Sequence, residues 1–433
     1  MCGIVGFYLW EGQASDYKAC LDAATDALSK RGPDSRGSVL FRQVGLGHTR
    51  LSIIDISEAG SQPMTDASGR YVIVFNGEIY NYLSLREQLS SQGVLFHSRT
   101  DTEVLLNLYI LYREKCLELI NGFFAFAVYD TLEGSLFIAR DRLGIKPLLF
   151  YQDDQKIIFS SEMKALLAFP IRKELDITSL YFYLQLNYIP APSSVFKHVK
   201  KLEPGTYMTI SANGHMAIRR YYRIAYDPAA IKRNRPHDYE ASKKTLRDLL
   251  TDSVQLRLVA DVPLGAFLSG GIDSSIIAGL AARMTDKLNT FSIGFKDEPY
   301  FDETRYANLM AEKLKTQHTV FSLTTDDLYA HLTEMLDYVD EPFADSSALA
   351  VYILSKHTRR QVTVALSGDG ADELFAGYNK HLADYRARQR AIRNALIRLA
   401  HPVLLLLPAS RNNAVTNLFR QAQRYAEGLA LHR

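Results

Sequence analysis

The sequence predicts two domains of different class: an α+β domain over residues 2–210 and a doubly wound, parallel-sheet α/β domain over 241–433, joined by a linker at 211–240. Three observations predict this. Before residue 210, strand-like runs outnumber helical ones, and the helices come grouped instead of alternating with strands. After residue 241, apolar strands and amphipathic helices alternate, as βαβ units do. Between them YDPAAIKRNRPHDYEA (226–241) is polar and carries two prolines, as a connection does.

In chain order, the first domain offers GIVGFYLW, YVIVFNGEIYNY, FFAFAVYD, SLFIARD, PLLFY and IIFSSE, apolar or alternating runs bounded by turn residues. Helical patterns lie between them: YKACLDAATDALSKRG, closed by Gly32-Pro33, and TEVLLNLYILYREK. The second domain starts with helix EASKKTLRDLLTDSVQLRLVAD and strand VPLGAFLSGG. Helix SSIIAGLAARM, strand LNTFSIGF, helix DETRYANLMAEKLK and strands HTVFSL and QVTVALSGDG follow. A parallel sheet of this kind binds ligands at the carboxyl ends of its strands.

Composition narrows the classes. Apolar residues make up 47% and charged residues 23%, the balance of an ordinary globular chain. The formal net charge of +2, without a long basic or acidic run, argues neither for nucleic acid nor for a membrane surface, and neither is expected as a partner. Three cysteines suit a reducing compartment, and the N-terminus lacks the pattern of a secretory signal. LAHPVLLLLPA (399–409) is too short to span a bilayer. These features predict a cytoplasmic protein.

Cys2 is the first chemical candidate. As a bland residue it is a small apolar strand starter. With Met1 removed, it carries a thiol and a free amine on one residue. The amine titrates near ~8 and the thiol near ~8.5, so the amine can take the thiol proton. Asn76 and Gly77 in VFNGEIYNY read either as a strand-end turn or as two donors converging on an oxyanion. Arg50 in GHTRLSIID interrupts an apolar strand, either pairing within the fold or awaiting a carboxylate. Asp101 in SRTDTEVLL stands where a helix begins, the usual place of an N-cap.

Six segments in order, MCGIVGFY, RGPDSRG, GHTRLSIID, FNGEIYNY, SRTDTEV and RDRLGIKPLLFY, resemble the glutaminase domain of class II glutamine amidotransferases. The resemblance implies a layered α/β/β/α fold of N-terminal-nucleophile type, with Cys2 attacking the side-chain amide of glutamine. It implies that Asn76 and Gly77 form the oxyanion hole. Glutamine would be bound by Arg50, Leu51, Ser52, Ile53, Ile54, Asn76, Gly77, Glu78 and Asp101. Arg50 would take its carboxylate, and Glu78 with Asp101 its ammonium group.

In the second domain FLSGGIDSS (267–275) is a glycine-rich strand-to-helix turn suited to phosphate, though not a Walker A loop, since no lysine follows. ALSGDGADELFAGY (365–378) carries Asp369, Asp372 and Glu373, acids that either complement a helix start or hold magnesium beside a phosphate loop. SGGIDSS resembles the pyrophosphate loop of ATP-pyrophosphatase synthetases. SGDGADELFAGY, with FSIGF and DEPFADSSALAVYILSK, resembles the asparagine synthetase family.

That resemblance implies ATP and aspartate as substrates. Ser269, Gly270, Gly271, Asp273 and Ser274 would line the pyrophosphate site, while Phe267, Ile293, Ser367 and Gly368 contact the nucleotide. Asp273 and Asp372 would hold Mg2+, and Asp369 would act in forming the acyl-adenylate. Ammonia would cross an enclosed apolar passage between the domains, and by family analogy the chain is a homodimer. Two departures stand out. Aspartate occupies position 369 where family members often have glutamate. The family's synthetase domain, with its catalytic lysine, continues past the region matching residue 433, which implies a truncated chain. Two other readings stay open: a relative using the same two steps on another carboxylate, and a non-catalytic glutamine- or nucleotide-binding protein.

Overall fold

The computed structural model describes residues 1–229, 238–389, 391–411 and 413–431. Residues 230–237 of the linker, and 432–433 of the terminal AEGLALHR, lie outside the described residues. By contacts the chain forms two compact units. One comprises Met1–Pro263 with His331–Tyr352, and the other Leu264–Ala330 with Ile353–Arg433.

The first unit holds two six-stranded antiparallel sheets. Its strands are β1 (Gly3–Leu9), β2 (Ser35–Leu40), β3 (Val44–Arg50), β4 (Met64–Thr65), β5 (Tyr71–Ile79) and β6 (Gly122–Asp130). β7 (Ser135–Arg140), β8 (Leu149–Gln152), β9 (Lys156–Ser160), β10 (Val199–Lys201), β11 (Thr206–Ile210) and β12 (Met216–Arg220) complete the set. The orders are β10-β8-β9-β1-β3-β2 and β12-β11-β7-β6-β5-β4.

Strand periodicity explains the layering. In β1, Ile4 and Tyr8 join Val72 and Val74 of β5 in a core between the sheets. The alternate residues Val5, Phe7 and Leu9 face Leu21, Ala24 and Leu28, in and just after the helix Lys18–Ala27. Likewise Ile73 and Phe75 of β5 face outward onto the helices Tyr82–Ser91 and Asp101–Tyr112. The central strands are therefore buried on both faces. That is why they read as continuous apolar runs and not as clean alternation. The result is the α/β/β/α layering expected from the sequence.

Residues 331–352 pack with this unit although the sequence places them far beyond the linker. Asp340 and Glu341 make the connection. The Asp340 carboxylate accepts the backbone N–H groups of Met163 and Lys164, and Glu341 pairs with Lys201 at 2.5 Å.

The second unit has a four-stranded parallel sheet in the order β15-β14-β13-β16. These are β13 (Leu264–Phe267), β14 (Asn289–Phe295), β15 (Gln317–Leu323) and β16 (Val364–Leu366). Chain order runs one way from β13 and then returns to its other side with β16. The carboxyl ends of β13 and β16 therefore flank a topological switch point.

Candidate active site

Cys2 is placed by the first ladder of the fold. Gly3 pairs with Thr49, so Cys2 falls beside Arg50 and Leu51 where β1 begins and β3 ends. The Leu51 N–H donates to Cys2 Sγ at 3.4 Å, and Arg31 Nε donates to the Cys2 carbonyl at 2.8 Å. Burial pushes the Cys2 thiol up. The Leu51 N–H and the positive chain terminus oppose this, as does Arg50, while Asp101 adds to it. A thiol so placed stays protonated until a nearby base relieves it.

Asn76 and Gly77 lie inside β5, paired with Ala125 and Phe124 of β6, so the strand-end turn is ruled out. Asn76 is 0% exposed, and among the described residues neither its Oδ1 nor its Nδ2 has a hydrogen-bond partner. A buried amide left in that state costs free energy, which makes Asn76 a candidate to meet a ligand. Gly77 has no room for a side chain: a Cβ there would stand 2.4 Å from the Phe123 carbonyl oxygen. One residue upstream, the buried His48 donates Nε2–H to the Phe75 carbonyl at 3.1 Å, tying β3 to the strand that carries Asn76. Desolvation lowers its pKa to about 3, so this imidazole is neutral.

Arg50 is buried, and its guanidinium donates to the carbonyls of Ser57 (2.8 Å), Ile54 (3.4 Å) and Asp55. It holds the loop after β3 and still has donors to spare, since a guanidinium carries five N–H groups. Within that loop Ser52 N–H donates to Asp34 at 2.7 Å, and the Ile53 carbonyl accepts from Asp261 N–H at 2.9 Å. The N-cap of helix Asp101–Tyr112 is Thr100, whose hydroxyl takes the Glu103 N–H. Asp101 is thereby released from capping. Its carboxylate accepts the Ile79 N–H at 2.9 Å, just past Glu78.

The two acids are coupled. Burial and then Asp101 raise the Glu78 carboxyl to about 7, against the pull of Lys146 and Arg257. Burial raises Asp101 to about 6. Lys146 is lowered chiefly by burial and feels the charges of both Glu78 and Cys2. Two carboxyls, a cation and a thiol thus share one electrostatic neighbourhood.

Sequence reading missed Arg31, His48 and Lys146 as members of this neighbourhood. Arg31 lies in RGPDSRG and Lys146 in RDRLGIKPLLFY, so the segments were visible while the side-chain targets were not. Asp141 explains Lys146: its carboxylate accepts the N–H groups of Leu143, Ile145 and Lys146, folding that loop back.

In the second unit, Phe267 of β13 pairs with Phe291, and the chain turns into helix Ile272–Ala281 with Gly271 as N-cap. Gly270 has φ +81°, and a Cβ there would meet the Tyr306 carbonyl carbon at 2.4 Å. Only glycine fits. Ser269 Oγ and Ser274 Oγ lie 3.0 Å apart across the turn, leaving the helix N-terminus exposed. Gly368, after β16, packs on Asp273 and Ser274: a Cβ on it would lie 2.8 Å from the Ser274 nitrogen. The two loops therefore meet. Ser367 Oγ donates to Asp369 at 2.9 Å, and Asp372 lies against Gly377. Ile293 lies in β14 beside Phe321 of β15. No group of three or more candidate metal ligands gathers among the described residues. Two carboxylates with substrate phosphates are an ordinary magnesium set; Asp273 stands in the first turn of helix Ile272–Ala281 and Asp372 in the first turn of helix Ala371–Phe375.

The fold defines the class: a layered α/β/β/α domain followed by an α/β domain built on a parallel sheet. Residues 1–222 match the glutamine amidotransferase domain, and residues 245–433 match asparagine synthase. The chain belongs to the family of glutamine-hydrolysing asparagine synthetases.

A Bacillus subtilis protein named asparagine synthetase 1 (glutamine-hydrolysing) is 38% identical over 381 residues, covering 88% of this chain and 59% of that protein. A Methanocaldococcus jannaschii protein, provisionally named the second such synthetase there, is 39% identical and covers 89% of this chain and 77% of its own. Among solved structures, a glutamine phosphoribosylpyrophosphate amidotransferase from B. subtilis aligns with 74% of this chain and 65% of its own. Its TM-score is 0.39 and its identity 16%. The chain thus spans about three-fifths of the B. subtilis synthetase. No helix among the described residues is long and apolar enough to cross a membrane.

Proposed function

We propose that the chain releases ammonia from glutamine at Cys2 and uses it, with ATP, to amidate aspartate. The observation that carries the first step is the buried Asn76 amide in β5, which has no hydrogen-bond partner among the described residues. With Met1 removed, the Cys2 amine takes the thiol proton and Sγ attacks the glutamine amide carbon. Asn76 Nδ2 and the Gly77 N–H stabilise the oxyanion, each donor typically worth ~10²–10³ in rate. The protonated amine returns its proton to the leaving nitrogen, ammonia departs, and water hydrolyses the thioester to glutamate. Arg50 binds the glutamine carboxylate, with the backbone of Leu51, Ser52, Ile53 and Ile54 beside it. Glu78 and Asp101 bind its ammonium group.

In the second unit the phosphates of ATP lie on the turn of Ser269, Gly270, Gly271, Asp273 and Ser274. Phe267, Ile293, Ser367 and Gly368 line the nucleotide. Magnesium, held by Asp273 and Asp372, would offset the triphosphate charge. The aspartate side-chain carboxylate attacks the α-phosphorus and pyrophosphate leaves, with Asp369 acting in this step. Ammonia then displaces AMP from the acyl-adenylate. Activation is needed because a free carboxylate is a poor electrophile.

The test uses Cys2→Ala. In a chain that carries the family's catalytic lysine, ammonia release from glutamine is expected to vanish, while aspartate-dependent pyrophosphate release with added ammonia persists. Loss of both together would defeat the two-site scheme. Pyrophosphate release indifferent to aspartate would defeat the acceptor.

A further inference from the structure

We propose that residues 337–341, the stretch DYVDE from the asparagine-synthase part of the sequence, form a strap that positions Cys2, with Asp340 its positioning residue. The proposal rests on Cys2 as the nucleophile.

The route is continuous. The Asp340 carboxylate accepts the N–H groups of Met163 and Lys164, the latter at 3.0 Å. Lys164 Nζ donates to the Asp337 carbonyl at 3.0 Å and pairs with Glu162 at 3.1 Å. The other oxygen of Glu162 pairs with Arg31 Nη1 at 3.0 Å, and Arg31 Nε holds the Cys2 carbonyl at 2.8 Å. Arg31 and Glu162 side chains are only 11% and 14% exposed, so water screens their pairing little.

The strap has its own anchors. Glu341 accepts the Val195 N–H at 2.9 Å and pairs with Lys201. Ala344 N–H donates to the Asn187 carbonyl at 3.0 Å, and Lys30 sits 4.7 Å over the Tyr338 ring. The turn before Met163 is already fixed to β1 by Ser161 N–H donating to the Ile4 carbonyl, and Met163, Ala165 and Leu166 of the helix after it sit in the core. What the strap adds is control of the Glu162 carboxylate and so, through Arg31, of the Cys2 backbone. The amide-hydrolysing site thereby depends on a contact that only the later part of the sequence supplies.

The experiment uses the whole 433-residue chain and the variants Asp340→Ala, Lys164→Met, Arg31→Lys, and Arg31→Lys combined with Asp340→Ala. Ammonia release gives kcat and KM for glutamine. Alkylation by iodoacetamide, located at Cys2 by mass spectrometry, reads the thiol without needing turnover. Asp340→Ala is expected to lower kcat ~10-fold with KM within about twofold, because small misplacements of reacting groups are costly. Cys2 alkylation changes with it. In the Arg31→Lys background the same change costs less than about twofold more, since linked residues act non-additively.

An unchanged kcat and alkylation rate in Asp340→Ala, or full additivity with Arg31→Lys, would overturn the strap. If Asp340→Ala does not fold, Lys164→Met decides: a kcat loss at constant KM supports the strap, and wild-type behaviour overturns it. Undiminished hydrolysis by Cys2→Ala would refute the nucleophile instead, leaving alkylation of wild type and Asp340→Ala to judge the strap.

Discussion

Glu78 concentrates the residue-scale physics of this site. Its carboxyl is raised to about 7, so near neutral pH the folded chain keeps a proton that the unfolded chain has already lost. Between its ordinary value and about 7 the folded state binds more protons, and this group's contribution to stability falls as pH rises. Removing the charge removes that cost. Glu78→Gln is therefore expected to melt higher than the wild type at pH 8, with the gain disappearing near pH 5. The KM for glutamine rises ~10-fold or more in the variant, since one charge-assisted bond to the ammonium is lost. In the wild type the same KM climbs as pH falls through 7 and then 6, when Glu78 and Asp101 take up protons. A flat KM from pH 8 to 5.5 would show that neither acid meets the ammonium.

Cys2 and Arg50 stood out as candidates because each is an unusual residue for its local pattern, while Asp101 and Asn76 also had ordinary readings, an N-cap and a strand-end turn, which Thr100 and the β5–β6 ladder displace. Arg31 and Lys146 did not stand out, because their meaning lies in contacts made across 29 residues and by a loop folded back on Asp141.

At the scale of elements, the two loops at the switch point are set by backbone constraints. Gly270→Ala forces a Cβ onto a positive φ and into the backbone of Tyr306 and Ala307. Aspartate-dependent pyrophosphate release is expected to drop ~10-fold or more, because helix N–H groups that bind phosphate must point at it. Glutamine hydrolysis stays within about twofold. Equal losses in both assays would contradict separate placement of the two chemistries.

The long apolar strands β1, β5 and β6 and the alternating β13–β16 region were readable from pattern. The short strands β4, β10 and β12 were not. Two and three residues, or the exposed MAIRR, carry too little periodicity to declare a strand, and pairing partners decide them.

At the scale of the molecule, two contact units each carry a set of candidate ligand groups. Calorimetry of the Cys2→Ala chain, chosen because it is expected not to consume glutamine, should show glutamine raising one transition and ATP with magnesium the other. Ligand at 100 times its dissociation constant contributes about 2.7 kcal/mol to the unit that binds it. A single transition moved equally by either ligand would mean one cooperative body.

The family boundaries fall at 222 and 245, yet the first unit recruits His331–Tyr352. Sequence order conceals this excursion, since nothing in YVDEPFAD announces which sheet it will join. The practical result concerns modular engineering. Severing the gene between 222 and 245, to graft the amide-splitting half onto a new carboxylate activator, would leave Asp340 and Glu341 behind on the discarded piece. A chimera maker should carry that excursion along with its adoptive home.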